Sequence, residues 1–178
     1  AAKVSAKILD GACGNLNIDD VISTATMWSE LTGTAFYKIT WDNNAGMAVG
    51  KNGDKIIREG DVRVDVCPPY EIFPDSPDCG SIKDCRSIIH AKAVHVADIK
   101  RIWGADVEEE AGAVMGFSDG NVPIESEKKK NGYAVVIERY SRPNLMYPAG
   151  RLEVIAGDKL LYEGDLPFLV GVNGEADL

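Results

Sequence analysis

No stretch of this sequence comes near the roughly 18 consecutive apolar residues that a membrane-crossing helix requires. The opening segment, AAKVSAKILDGACGN, lacks the apolar core and small-residue cleavage pattern of a secretory signal. It also lacks an initiating Met, so the chain reads as a piece of something longer. A basic surface is missing too. Lys plus Arg number 19 against 28 Asp plus Glu, a net charge of −9. Such a surface favours solubility and repels nucleic acid at long range, whereas a simple DNA- or RNA-binding module shows a basic face. The one basic run, Lys128-Lys129-Lys130, follows Glu125 and Glu127 and reads as a solvated turn. The four cysteines, Cys13, Cys67, Cys79 and Cys85, form no CxxC pair, which removes the common zinc and redox spacings. A chain of this length needs no covalent staples, so reduced thiols in a reducing cytoplasm are the expected state. A Cys79–Cys85 bridge stays open. Internal repeats are absent.

What is present suits one soluble domain. Of the 178 residues 45% are hydrophobic and 26% charged, enough for one sizeable core. The expectation is a single α+β domain over residues 1–178, with N-terminal helices, then antiparallel strands and hairpins with one short helix. Residues 2–12 are rich in Ala and Lys and predict a helix capped near Gly14. Asn17 is placed to cap a second helix, with Asp19 and Asp20 at the positive end of its dipole. Ile18, Val21, Ile22, Ala25, Trp28 and Leu31 repeat at helical spacing and predict one buried face, with Gly33 as the stop.

Residues 35–42 are β-branched and aromatic, and Asn43-Asn44-Ala45-Gly46 signals a hairpin after them. Residues 61–66 alternate with period two, a half-buried strand that Pro68-Pro69 ends. Residues 70–75 read as extended, 86–94 as a strand, and 97–103 as a short helix closed by Gly104. Residues 105–131 dissolve into Gly, Glu and Lys and predict a flexible loop. Residues 133–140 form a strand, and 152–156 with 160–163 a second hairpin across Gly157-Asp158.

Residues that could carry chemistry are present, but they assemble no recognisable motif. Gly46 to Lys51 looks like a phosphate loop, yet the spacing is one residue short and Asn52 stands where Ser or Thr belongs. His90 and His95 are the two histidines, and no G-x-S-x-G nucleophile elbow accompanies them. A zinc site from Cys85, His90 and His95 departs from the usual structural spacings. Asp19-Asp20 fit the helix dipole, and Glu108-Glu109-Glu110 a solvated loop. Trp28, Trp41 and Trp103 each sit in apolar surroundings and predict core. No catalytic, metal-binding or cofactor-binding residue is therefore expected, nor an enzyme.

Four collinear stretches, covering most of residues 20–168, resemble the portal proteins of tailed bacteriophages. Thr32-Gly33-Thr34-Ala35-Phe36-Tyr37-Lys38-Ile39-Thr40-Trp41-Asp42 is similar to the family's "GTGF-K-V-W-D" segment. Residues 60–75, ending Pro69-Tyr70-Glu71-Ile72-Phe73-Pro74-Asp75, resemble its strand followed by "SPFEIFPDP". Here Cys67-Pro68 replaces the usual pair, and Asp75-Ser76-Pro77 carries one extra residue. Ile88-Ile89-His90 and Val96-Ala97-Asp98-Ile99-Lys100 are similar to "WVIHR…SVDEIKE-YG". Arg142-Pro143 through Tyr147-Pro148-Ala149-Gly150-Arg151 to Leu160-Leu161-Tyr162-Glu163-Gly164 resembles "ERPS-KYP-GR-VV-AG-K-LYEG-LP", the strongest of the four.

The resemblance implies a structural subunit of the portal ring, or head-to-tail connector, at one capsid vertex of the virion. Before assembly it would reside in the host cytoplasm. The implied partners are further copies in a dodecameric ring, the terminase motor, head-completion or adaptor proteins, and capsid proteins. DNA would pass through the channel during packaging and ejection without sequence-specific binding, and no membrane is involved. The matched stretches belong to the family's wing. The long helices that build stem and channel have no counterpart in these residues, so no DNA-contact residue is carried over. Two other readings are a different virion or tail structural or interaction domain, and a metal-dependent hydrolase built on the many carboxylates.

Overall fold

The computed structural model describes residues 2–42, 45–53, 55–76, 78, 80–110 and 132–167. It is an α+β protein: two helices, then antiparallel strands with one short helix among them. The chain divides into two compact units, Ala1–Pro69 and Tyr70–Leu178. No helix among the described residues is long and apolar enough to cross a membrane.

The first unit holds helix α1 (Ala2–Asn15), helix α2 (Ile18–Thr32) and strands β1 (Phe36–Asp42), β2 (Ala48–Asn52), β3 (Lys55–Arg58) and β4 (Asp61–Cys67). α1 continues through Gly14, where a cap was expected. Asn17 does not cap α2 with its side chain. It adopts a left-handed conformation at φ 49°, and its carbonyl accepts from the amides of Asp20 and Val21. Asn tolerates that conformation, so it makes the joint between the helices. Within α2, Ser23, Thr24, Thr26 and Thr32 donate their hydroxyls to the carbonyls four residues back. Gly33 closes the helix at φ 83°.

A hairpin follows residues 43–46, as their turn signal predicts. β1 pairs with β4 across seven antiparallel positions, from Phe36↔Cys67 to Asp42↔Asp61, and β2 pairs with β3 as a nested hairpin. The register gathers Tyr37, Ile39 and Trp41 opposite Val66, Val64 and Val62 on one face. That face is open, since Tyr37, Ile39 and Trp41 are all exposed. Trp41 is thus no core residue; its indole lies over Gly60, whose φ of 79° and lack of a side chain admit the ring. The apolar row of α2 is also only partly covered. Ala25 is buried, whereas Ile22 and Leu31 are exposed.

The second unit is an antiparallel meander in sequence order: β5 (Ile72–Pro74), β6 (Ser87–His95), β7 (Tyr133–Ser141), β8 (Arg151–Ala156) and β9 (Lys159–Gly164). A 3₁₀ turn, Pro69–Glu71, leads into β5, and helix α3 (Val96–Trp103) follows β6 directly. Period-two alternation puts Ala134, Val136 and Tyr140 of β7 and Leu152, Val154 and Ala156 of β8 on one face. Ile99 of α3 joins that face and is fully buried, as is Val136. Each such side chain contributes about 1.5–3 kcal/mol of hydrophobic stabilisation. Gly150, at φ 74°, sits where an added methyl would collide with Leu166 and the Ser141 carbonyl.

The opposite face of β7–β9 carries charge. Arg151 Nη2 lies 2.6 Å from Glu163, Arg139 is 3.7 Å from Glu153, and the Arg151 guanidinium stands 4.2 Å over the Tyr147 ring. Arg151 Nε is 3.0 Å from Glu153, though its N–H does not point at the oxygen. The expected loop at 105–131 is described only to residue 110, and residues 111–131 lie outside the described residues. Val107 packs on the core, and the Glu run is more than a solvated loop. Glu109 accepts from the Gly132 amide at 2.6 Å and Glu110 from that of Val135 at 3.3 Å.

Candidate functional site

The one fully polar side chain in the described interior is His90, 3% exposed. Its neighbours follow from register. β6 and β7 pair so that His90 stands opposite Glu138, and β5 pairs so that His90 stands opposite Ile72. Directly opposite residues share a face, as do residues two apart on a strand. Glu138 and Tyr140 therefore project on the same side as His90, and Glu71 reaches it from the turn before β5. The resulting chain of contacts is short. His90 Nδ1 lies 3.3 Å from Glu138 Oε2, and His90 Nε2 lies 3.2 Å from Glu71 Oε2. The Tyr140 hydroxyl donates to Glu138 Oε2 at 2.6 Å.

Both ring nitrogens face carboxylates. A neutral imidazole has one N–H, so it can donate to one carboxylate but turns a lone pair toward the other. Closing both contacts takes one further proton, held on the ring as imidazolium or on one of the carboxyls. Carboxylates on both sides favour holding it, and burial alone opposes it. With that proton the trio of Glu71, His90 and Glu138 carries a net charge of −1, and without it −2. Tyr70, next in sequence to Glu71, has its phenol pushed up by burial and further by the charge of Glu71.

This arrangement does not assemble a nucleophile. A catalytic His must show one nitrogen to a Ser or Cys, and here each nitrogen meets a carboxylate. Cys85 is buried, with Sγ directed at the Ser81 carbonyl at 3.5 Å. Nor do the nitrogens converge with the carboxylates on one point, because Nδ1 and Nε2 lead away from the ring in different directions. Among the described residues no group of three or more His, Cys, Asp or Glu side chains is placed to hold a metal ion. Cys79, of the bridge left open in the sequence, lies outside the described residues.

The remaining sequence candidates disperse. His95 caps α3, its Nδ1 accepting from the Ala97 amide at 3.2 Å, and its ring stands edge-on to Tyr133. The Gly46–Lys51 segment enters β2 of a hairpin, with no helix following it. Asp19 and Asp20 occupy the first turn of α2. Glu71, Glu138 and Tyr140 were not singled out in the sequence. The signal that marks Glu138 is its parity: it takes an inward position on a strand whose other inward residues are Ala134, Val136 and Tyr140. Compared with known proteins, the chain matches no family model and no curated sequence.

Proposed function

We propose that this chain is part of the wing of a tailed-phage portal protein, a ring subunit through which DNA is packaged and ejected. The observation that carries this reading is the collinear order of the four portal-like stretches. They fall on folded elements: the first on β1, the second on β4 through β5, the third on β6 and α3, the fourth on the segment leading into β8 and β9. Partners in this role are other copies of the chain, the terminase motor, and head-completion and capsid proteins. Two physical features suit it. A net charge of −9 fits a conduit that conducts DNA without gripping it. A closed ring needs two different faces per subunit, and the first unit offers uncovered apolar surface on Tyr37, Ile39 and Trp41 for such contacts.

A second reading, another virion or tail assembly protein, draws on that same open surface without the portal kinship. Light scattering on the complete product of the gene separates the two. The portal reading expects a single closed species near twelve subunits, as the family resemblance implies. A stable dimer or an open-ended filament, formed also when capsid and scaffolding proteins are co-expressed, would favour the second reading.

A further inference from the structure

β5 is a weak edge strand by composition. It has three residues, and Pro74 brings no N–H to the ladder. Its hold on β6 is reinforced at each end by side chains. At the far end both carboxylate oxygens of Asp75 accept from the Arg86 amide, at 3.2 and 3.3 Å, and the Asp75 amide donates to the Ser87 carbonyl at 3.1 Å. At the near end the fastening is Glu71 against His90 Nε2. These two ends differ in kind. The Asp75 end joins a carboxylate to a backbone N–H with no histidine between them, whereas the Glu71 end depends on the shared proton.

We propose that His90 is a proton-operated clasp that holds residues 70–74 on the edge of the sheet, closed while the Glu71–His90–Glu138 trio keeps its shared proton and open once that proton is lost. The step is a simple deprotonation. One proton passes to water, one ring nitrogen keeps its lone pair, and the trio goes from −1 to −2. The lone pair then faces a carboxylate across about 3 Å in a site almost closed to water, where repulsion is strong.

The geometry decides which carboxylate leaves. Glu138 is set in a central strand, and its Oε2 already accepts the Tyr140 hydroxyl at 2.6 Å. Glu71 sits on a three-residue turn at the sheet edge. The ring therefore keeps Nδ1–H on Glu138, and Glu71 swings out with the start of β5. Closure belongs to the lower pH, and opening follows as pH rises through the value at which His90 titrates in the fold.

Several titratable and charged groups lie around the trio. On β7 the groups on the His90 face are Glu138 and Tyr140, and the preceding turn brings Glu71, with Tyr70 beside it in sequence. Burial and the charge of Glu71 both raise Tyr70, so its phenol stays neutral through the range in which a His titrates. Lys92 is the next residue on the same face of β6. The charged residues of α3 are engaged elsewhere, Arg101 with Asp98 at 3.0 Å and Lys100 with Asp106 at 2.6 Å, all of them well exposed.

The test uses the whole 178-residue chain. His90 is followed by NMR through roughly pH 5–9, the range over which perturbed histidines commonly titrate, with His95→Gln assigning the second histidine. Hydrogen exchange over residues 70–75, corrected for the intrinsic pH dependence of exchange, reports the strap. The expected result is a loss of protection of about fivefold or more centred on the His90 midpoint, with residues 134–140 unchanged. In Glu71→Gln the side-chain amide can donate or accept, so the contact no longer needs the shared proton and the step vanishes. A protection profile with no step at the His90 midpoint overturns the proposal. So does a step that persists in Glu71→Gln, or a His90 that keeps one protonation state throughout. The wild-type profile decides the matter even if the variant fails to fold.

Discussion

Tyr140 donates its hydroxyl to Oε2 of Glu138 at 2.6 Å, the same oxygen that His90 Nδ1 faces at 3.3 Å. The two residues are neighbours on one face of β7, so the sheet itself sets their spacing. Tyr140→Phe keeps the ring and its packing but removes a donor from a nearly buried carboxylate. The expected loss is about 1–3 kcal/mol, the usual penalty for a buried acceptor deprived of its donor. Urea unfolding measures it, and a midpoint equal to wild type would show that the hydroxyl contributes nothing to the network.

α3 gives a paired contrast within two residues. Ile99 is fully buried against β7 and β8, and Ile99→Ala is expected to cost about 2–5 kcal/mol through lost transfer energy and the cavity left behind. Arg101 holds Asp98 in solvent, and Arg101→Ala is expected to change stability by less than about 1 kcal/mol. Equal effects of the two substitutions in urea would contradict the assignment of α3 as the lid of this core.

Gly60 tests the first unit. Its φ of 79° disfavours any side chain, and a methyl group there meets the Trp41 indole. Gly60→Ala is expected to destabilise by about 1–3 kcal/mol and to shift the tryptophan emission as the ring is displaced. Emission identical to wild type would mean that Trp41 does not lie over this turn.

Metal ions should have little effect. A ligand that binds the folded state raises its melting temperature, and the carboxylates of the His90 network are directed at the ring and not at a common point. Thermal melts with Mg²⁺, Mn²⁺, Ca²⁺ and Zn²⁺ are expected to move by no more than about one degree. A shift of several degrees with one ion would revive the metal-dependent hydrolase reading.

Strand content was legible from the sequence because it rests on local patterning. The alternation of residues 61–66, the β-branched run of 133–140 and the Gly157-Asp158 turn each correspond to an observed strand or hairpin. The short helix closed by Gly104 is present as α3. Pairing was less legible. The turn signal at residues 43–46 announced the hairpin that follows it, β2 with β3, but gave no hint that β1 pairs with β4 around that hairpin. Local turn chemistry carries no information about which strand closes the ladder. The helical periodicity of α2 predicted a buried face, and that row is only partly covered, with Ile22 and Leu31 exposed, since periodicity shows which residues share a side and not what covers it.

The His90 cluster was half legible. His90 stood out as one of two histidines, but its two carboxylates come from positions 19 residues before it and 48 after it. Such distances are bridged only by strand register, which a single sequence does not reveal. The inward parity of Glu138 was the available clue.

Membership of a DNA-conducting ring is the proposal on which the role of this chain depends. The most direct measurement is negative-stain electron microscopy of the complete gene product, with a tag at the N-terminus of this chain to mark its position. Closed rings with a central channel and the tag on the outer rim are expected. Filaments, compact particles without a channel, or rings with the tag at the channel wall would contradict the proposal.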